Sequence, residues 1–121
     1  MAHDDPALIA RTARVVHEGV RAYQTALGEP AAPAWDEAEE WQRTSTFDAV
    51  KFRLDNPDAP PSAQHDQWMA HKIAEGWVWG AVKDPRAKTH PLLVPYEKLG
   101  EADRRKDLLI GNIILALTGP I

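Results

Sequence analysis

Ile9, Ala13, Val16, Val20, Tyr23 and Leu27 follow one another in alternating steps of four and three. That spacing lines them along one stripe of a helix running from about Pro6 to Leu27. Arg11, Arg14, Glu18 and Arg21 fall mostly off the stripe. Pro6 suits a first helical turn and Asp4 or Asp5 can cap it, while Gly28 and the prolines at 30 and 33 stop it. The stripe reads as core or as a seam between two copies, with Tyr23 packed in it. A second helix is expected from near Asp36, where Asp36 and Glu39 resemble a capping box. Trp41, Phe47, Val50, Phe52 and Leu54 give it apolar surface at less regular spacing, and Asp55-Asn56-Pro57 ends it. After Pro60-Pro61, Ser62 is expected to cap a third helix that runs to Gly76. His65, Trp68 and Lys72 share one face of it, and Met69 and Ile73 are expected to turn toward the core.

Beyond Gly76 the period changes. Trp77-Val78-Trp79 alternates large side chains, Gly80 breaks the run, and Leu92-Leu93-Val94 is the expected partner strand. Asp84-Pro85-Arg86 signals a turn between them. Pro91 and Pro95 hold His90 and Val94 extended. A last helix is expected from about Glu101 to Leu117, with Glu101 and Asp103 in its first turn and a Gly119-Pro120 stop. Its apolar end, residues 108–117, is too short to span a bilayer. The pattern therefore predicts a mainly α fold: a small helical domain of about four helices with a short β-ribbon.

Composition narrows the class. The chain has 121 residues, 44% hydrophobic and 26% charged, with a formal net charge of −4. That length suits one compact domain, expected over 1–121. The first six residues lack the basic and apolar regions of a secretory signal. Without cysteine, disulfide frameworks and thiolate metal sites are excluded, and a cytoplasmic chain is the simplest expectation. Charge is uneven: residues 29–58 hold eight acids against three bases, whereas 83–106 hold seven bases against four acids. The acidic half argues against general nucleic-acid binding, which needs a broad basic face. The basic segment can form a local anion site or simply a solvated face.

Specific chemistry is sparse. His65 and His71 lie six apart, about 600° of helical rotation, so they face different ways. No histidine pair has the spacing of a helical zinc site, so no metal is expected. No serine sits in a nucleophile elbow and no glycine-rich phosphate loop occurs, so no catalytic residue and no cofactor are assigned. The dense feature is residues 65–96, where Trp68, Trp77, Trp79 and Tyr96 mingle with Lys72, Lys83, Lys88 and His90. Aromatic faces beside cations can hold a planar or anionic ligand, and equally can be core with lysine stems packed over indoles.

His65-Asp66-Gln67-Trp68, Lys72, Gly76-Trp77-Val78-Trp79-Gly80, Asp84, Lys88, His90-Pro91 and Val94-Pro95-Tyr96, continuing to Leu99 and Lys106-Asp107, resemble the ryanodine receptor repeat, or RyR domain. The resemblance covers about half the chain, with a repeat core at 62–118 and an N-terminal helical extension at 1–61. Trp79 stands where the family more often has tyrosine. Val16-His17-Glu18, Trp35, Trp41-Gln42 and Leu54-Asp55-Asn56-Pro57 resemble the extension of stand-alone bacterial and phage proteins of this kind. The resemblance implies a mainly helical, non-enzymatic binding module, and a symmetric homodimer that restores the pairing of tandem repeats. Two readings stay open. In one, Trp77, Trp79 and Tyr96 stack on a small anionic or nucleotide-like ligand whose charge meets Lys72, Lys88 and His90. In the other, the chain binds a protein partner and these side chains are core.

Overall fold

The computed structural model describes residues 5–119; Asp4, the alternative first cap, and Pro120 of the expected C-terminal stop lie outside them. Four helices, α1 (Pro6–Ala26), α2 (Glu40–Asp55), α3 (Pro61–Ala74) and α4 (Glu101–Thr118), carry two short strands, β1 (Val78–Trp79) and β2 (Thr89–His90), between α3 and α4. Asp5 caps α1, its Oδ1 accepting from the Ala7 and Leu8 amides at 2.9 and 3.3 Å. The first half of the apolar stripe enters the core: Ile9, Ala13 and Val16 meet Val50 of α2 and Ile114 of α4. The stripe's far end does not follow, since Leu27 is exposed. Tyr23 packs as expected and also donates its hydroxyl proton to the Ala102 carbonyl at 2.8 Å, pinning α1 to α4.

Several boundaries differ from those the sequence predicts. The helix α2 starts at Glu40 rather than Asp36. Residues 35–37 form a 3-10 turn instead, ended by extended backbone at Ala38, with the Asp36 carboxylate 3.2 Å from Arg14 and Glu18 accepting the Trp35 amide. The capping box is real but one turn later, between Glu39 and Gln42. Likewise α3 begins at Pro61, not after Ser62; proline is suited to the first helical position, where its missing N–H costs nothing. Ile73, expected in the core, is 58% exposed.

The ribbon partner is also different. Val78 and Trp79 pair in parallel with Thr89 and His90, not with Leu92–Val94. Pro91 has no amide to offer, and the Leu92 amide donates to His90 Nδ1 at 3.1 Å, so the chain turns away after His90. The expected turn at Asp84 is present, with Oδ1 accepting from the Arg86 and Ala87 amides. Between α2 and α3, buried Arg53 donates to the Asn56 and Ala59 carbonyls, which holds the proline-rich connector across the bundle end.

Candidate functional site

The helix α3 ends in a Schellman motif that builds the centre of the site. Gly76 takes a φ of +92°, its amide donating to the Ile73 carbonyl and the Trp77 amide to the Lys72 carbonyl, each at 3.0 Å. This reversal folds Trp77 back over the helix that carries Lys72. The Lys72 Nζ lies 4.9 Å from the Trp77 ring centre and 4.6 Å from that of Trp41, on α2. The two indoles approach to 5.9 Å at a 48° tilt. Lys72 is only 3% exposed, and no carboxylate among the described residues lies within ion-pair distance of it. Burial holds its pKa below the ordinary lysine value; Lys83 adds to the effect and Glu75 opposes it. Indole faces attract a cation by roughly 0.5–2 kcal/mol each, less than a buried ion loses in hydration. The charge is thus stabilised only in part.

Lys72 lines a groove of about 930 Å³ that reaches all four helices and the ribbon. Lys83 from the loop after β1, Lys106 from α4 and His90 from β2 stand on its lining. Lys83 is exposed as a residue, and its pKa is lowered by partial desolvation on the groove side and by Lys106. His90 is pushed down to about 3, by burial first and then by Lys83, Lys106, Lys72 and His65. It is neutral at physiological pH. Because its Nδ1 accepts the Leu92 amide, its proton sits on Nε2, as a donor. Asp107 does the opposite: burial, with Asp103 and Asp66, raises its carboxyl to about 6 against the pull of His65 and Lys106. His65 is buried behind it, Nδ1 3.8 Å from Asp107, its Nε2 donating to the Val94 carbonyl at 2.7 Å. Gln64, on the same lining, keeps a buried Oε1 without a hydrogen-bond partner.

Of the six residues the sequence singles out for a ligand, Lys72, Trp77 and His90 meet in this groove. The other three lie elsewhere. Lys88, with φ of +57°, donates its Nζ to the Glu75 carbonyl at 2.8 Å and so caps α3. Trp79 is 59% exposed, and neither Trp79 nor Tyr96 is on the groove lining. Tyr96 packs instead near His65, ring centres 6.1 Å apart. Groove residues absent from those six include Trp41, Lys106 and Gln64, together with Lys83, which the sequence places in the aromatic and basic stretch without assigning it to the ligand. Helical spacing from Lys72 gave the signal for Trp68 and His65, but nothing local ties Trp41 or Lys106 to α3. Among the described residues no cluster of histidine and carboxylate side chains could hold a metal ion, and no helix is long and apolar enough to cross a membrane.

Residues 61–115 match the family model of the RyR domain. The match opens at the first residue of α3 and closes within α4. It therefore contains Lys72, Trp77, Lys83, His90 and Lys106, whereas Trp41 comes from the segment before it.

Proposed function

We propose that this chain, whose residues 61–115 match the RyR domain, is a non-enzymatic binding module that takes a small anionic ligand into the groove around Lys72. We read it as the stand-alone bacterial or phage type, acting in the cytoplasm. The observation that carries this reading is Lys72, a residue 3% exposed whose ammonium lies against two indoles and pairs with no described carboxylate. A buried cation of this kind is costly until an anion meets it. Lys83 and Lys106 increase the positive potential at the same place, and a low-dielectric groove strengthens it.

The test is a thermal-shift panel of phosphorylated and carboxylated metabolites, with sodium chloride at matched ionic strength as the control. A ligand held at ~100 times its Kd stabilises the folded state by about 2.7 kcal/mol, roughly 10 °C for a domain of this size. The expected result is a rise of that order for some anions and none for chloride. A flat response across the panel contradicts the reading. It would favour the protein-partner alternative, for which Trp79, Val78 and Ile73 offer exposed apolar surface.

A further inference from the structure

Most polar side chains on the groove lining are already engaged inside the chain. Gln24 Oε1 accepts the Ala32 amide and Gln42 Oε1 the Glu39 amide, each at 3.0 Å. The Thr46 hydroxyl donates to the Gln42 carbonyl at 3.1 Å, and His17 Nε2 to the Pro33 carbonyl at 2.6 Å. Groups bonded in this way gain little by meeting a ligand. The Gln64 Oε1 has no partner, but it is sealed from solvent and out of a ligand's reach.

Charge on the lining is compensated except at one point. Lys106 has Asp103 at 3.8 Å, and Asp107 lies 3.8 Å from His65. Lys83 and Glu29 are exposed, so water solvates them. Lys72 is buried and has no carboxylate within ion-pair distance among the described residues. The polar atoms both unpartnered and sealed from solvent belong to Thr12, Arg53 and Gln64; the Lys72 Nζ is not one of them, so the little surface Lys72 keeps includes its ammonium. One such charge is met by one negative charge. A second would lose hydration with no buried cation to receive it, and with Asp103 and Asp107 on the same wall. The surface around this point is apolar: Trp41, Trp68, Leu92 and Ile110 are half-buried lining residues, and Val82 is 73% exposed. A bare inorganic anion would leave that surface, and most of the 930 Å³, in water.

Resting on the anion-binding reading above, we infer that the ligand is an apolar monocarboxylate. Its carboxylate pairs with Lys72, and its aromatic or aliphatic body covers Trp41, Trp68 and Leu92. The apolar part of the site then depends partly on Trp41 of α2, outside the segment that matches the RyR domain.

Calorimetric titration of the full chain tests this with acetate, octanoate, indole-3-acetate and inorganic phosphate, and with the amide of whichever apolar acid binds more tightly. At least one of octanoate and indole-3-acetate is expected to bind about 10-fold or more tightly than acetate, since each buried methylene contributes up to about 4-fold. The tighter of the two separates an aliphatic from an aromatic body. Inorganic phosphate is expected to bind no more tightly than acetate. The amide should bind about 10-fold or more weakly than its acid, because it lacks the charge that Lys72 meets. Lys72→Met should bring the acid down to the level of its amide. Acid and amide are compared on the parent chain, so that contrast does not depend on how the variant folds. Apolar acids no tighter than acetate, an amide as tight as its acid, or phosphate tighter than both acids overturns the inference. So does a Lys72→Met chain that folds and still prefers the acid to its amide. If acetate or phosphate binds in a Lys72-dependent way while the apolar acids gain nothing over acetate, the anion-binding reading stands and only the apolar-ligand inference falls. If no anion binds, both fall.

Discussion

Asp107 and His90 answer to acid in opposite senses, although both line one groove. Asp107 keeps its proton up to about pH 6 in the folded chain, whereas an unfolded aspartate loses it near 3.9. Its contribution to stability is full below about pH 4 and is lost as pH rises through 6. His90 resists protonation until about pH 3, whereas an unfolded histidine takes a proton near 6.5. Its contribution is full above about 6.5 and is lost as pH falls toward 3. Between about pH 4 and 6 the two slopes oppose each other. Asp107→Asn should raise Tm at neutral pH and steepen the loss of stability in acid. His90→Gln should flatten or reverse that loss over the same range. Melting curves by circular dichroism across the pH series check this, and profiles parallel to the parent in both variants would refute it. At this scale the sequence is informative only locally. Lys72 was legible because His65 and Trp68 share its helical face, whereas Lys106 lies 34 positions further along and reaches the same groove only through the packing of α4.

The ribbon and the end of α3 depend on backbone positions that tolerate no side chain. Gly76 sits at φ +92°, a conformation that strains any L-residue. At Gly80 a Cβ would fall 2.6 Å from the Thr89 Cβ, in the strand it pairs with. That distance requires one strand to move, and overpacking of this kind costs about 1–3 kcal/mol. Gly76→Ala and Gly80→Ala should each lower Tm, by roughly 3–10 °C. Gly76→Ala should in addition weaken anion binding, because the reversal it terminates places Trp77 against Lys72. Scanning fluorimetry of the two variants, with and without a bound anion, checks both statements; unchanged melting in either would contradict the local account. The sequence announced these glycines and all four helices, since a helical stripe and a helix-stopping glycine are local signals. It did not announce that Thr89–His90 would be the partner of Val78–Trp79. That pairing follows from the Asp84 turn and the Lys88 contact to Glu75, neither of which has a periodicity to read.

Across the whole molecule, the helices before residue 61 and those after it share one set of buried apolar residues, with Ile9, Ala13, Val16 and Val50 on Ile114. The same arrangement brings Trp41 to Lys72, so the core that holds α1 and α2 in place also completes the groove. A fold that holds a lysine 3% exposed without a carboxylate partner among the described residues forgoes some stability there, as ligand sites commonly do. Lys72→Met keeps the length of the side chain and removes the charge, which makes it the most direct measurement of the central claim. Tm without ligand should stay level or rise, because the buried charge loses more hydration than the two indoles return. The stabilisation produced by anions in the parent should disappear. A variant that melts well below the parent while keeping its anion response would contradict the account and make Lys72 a packing residue.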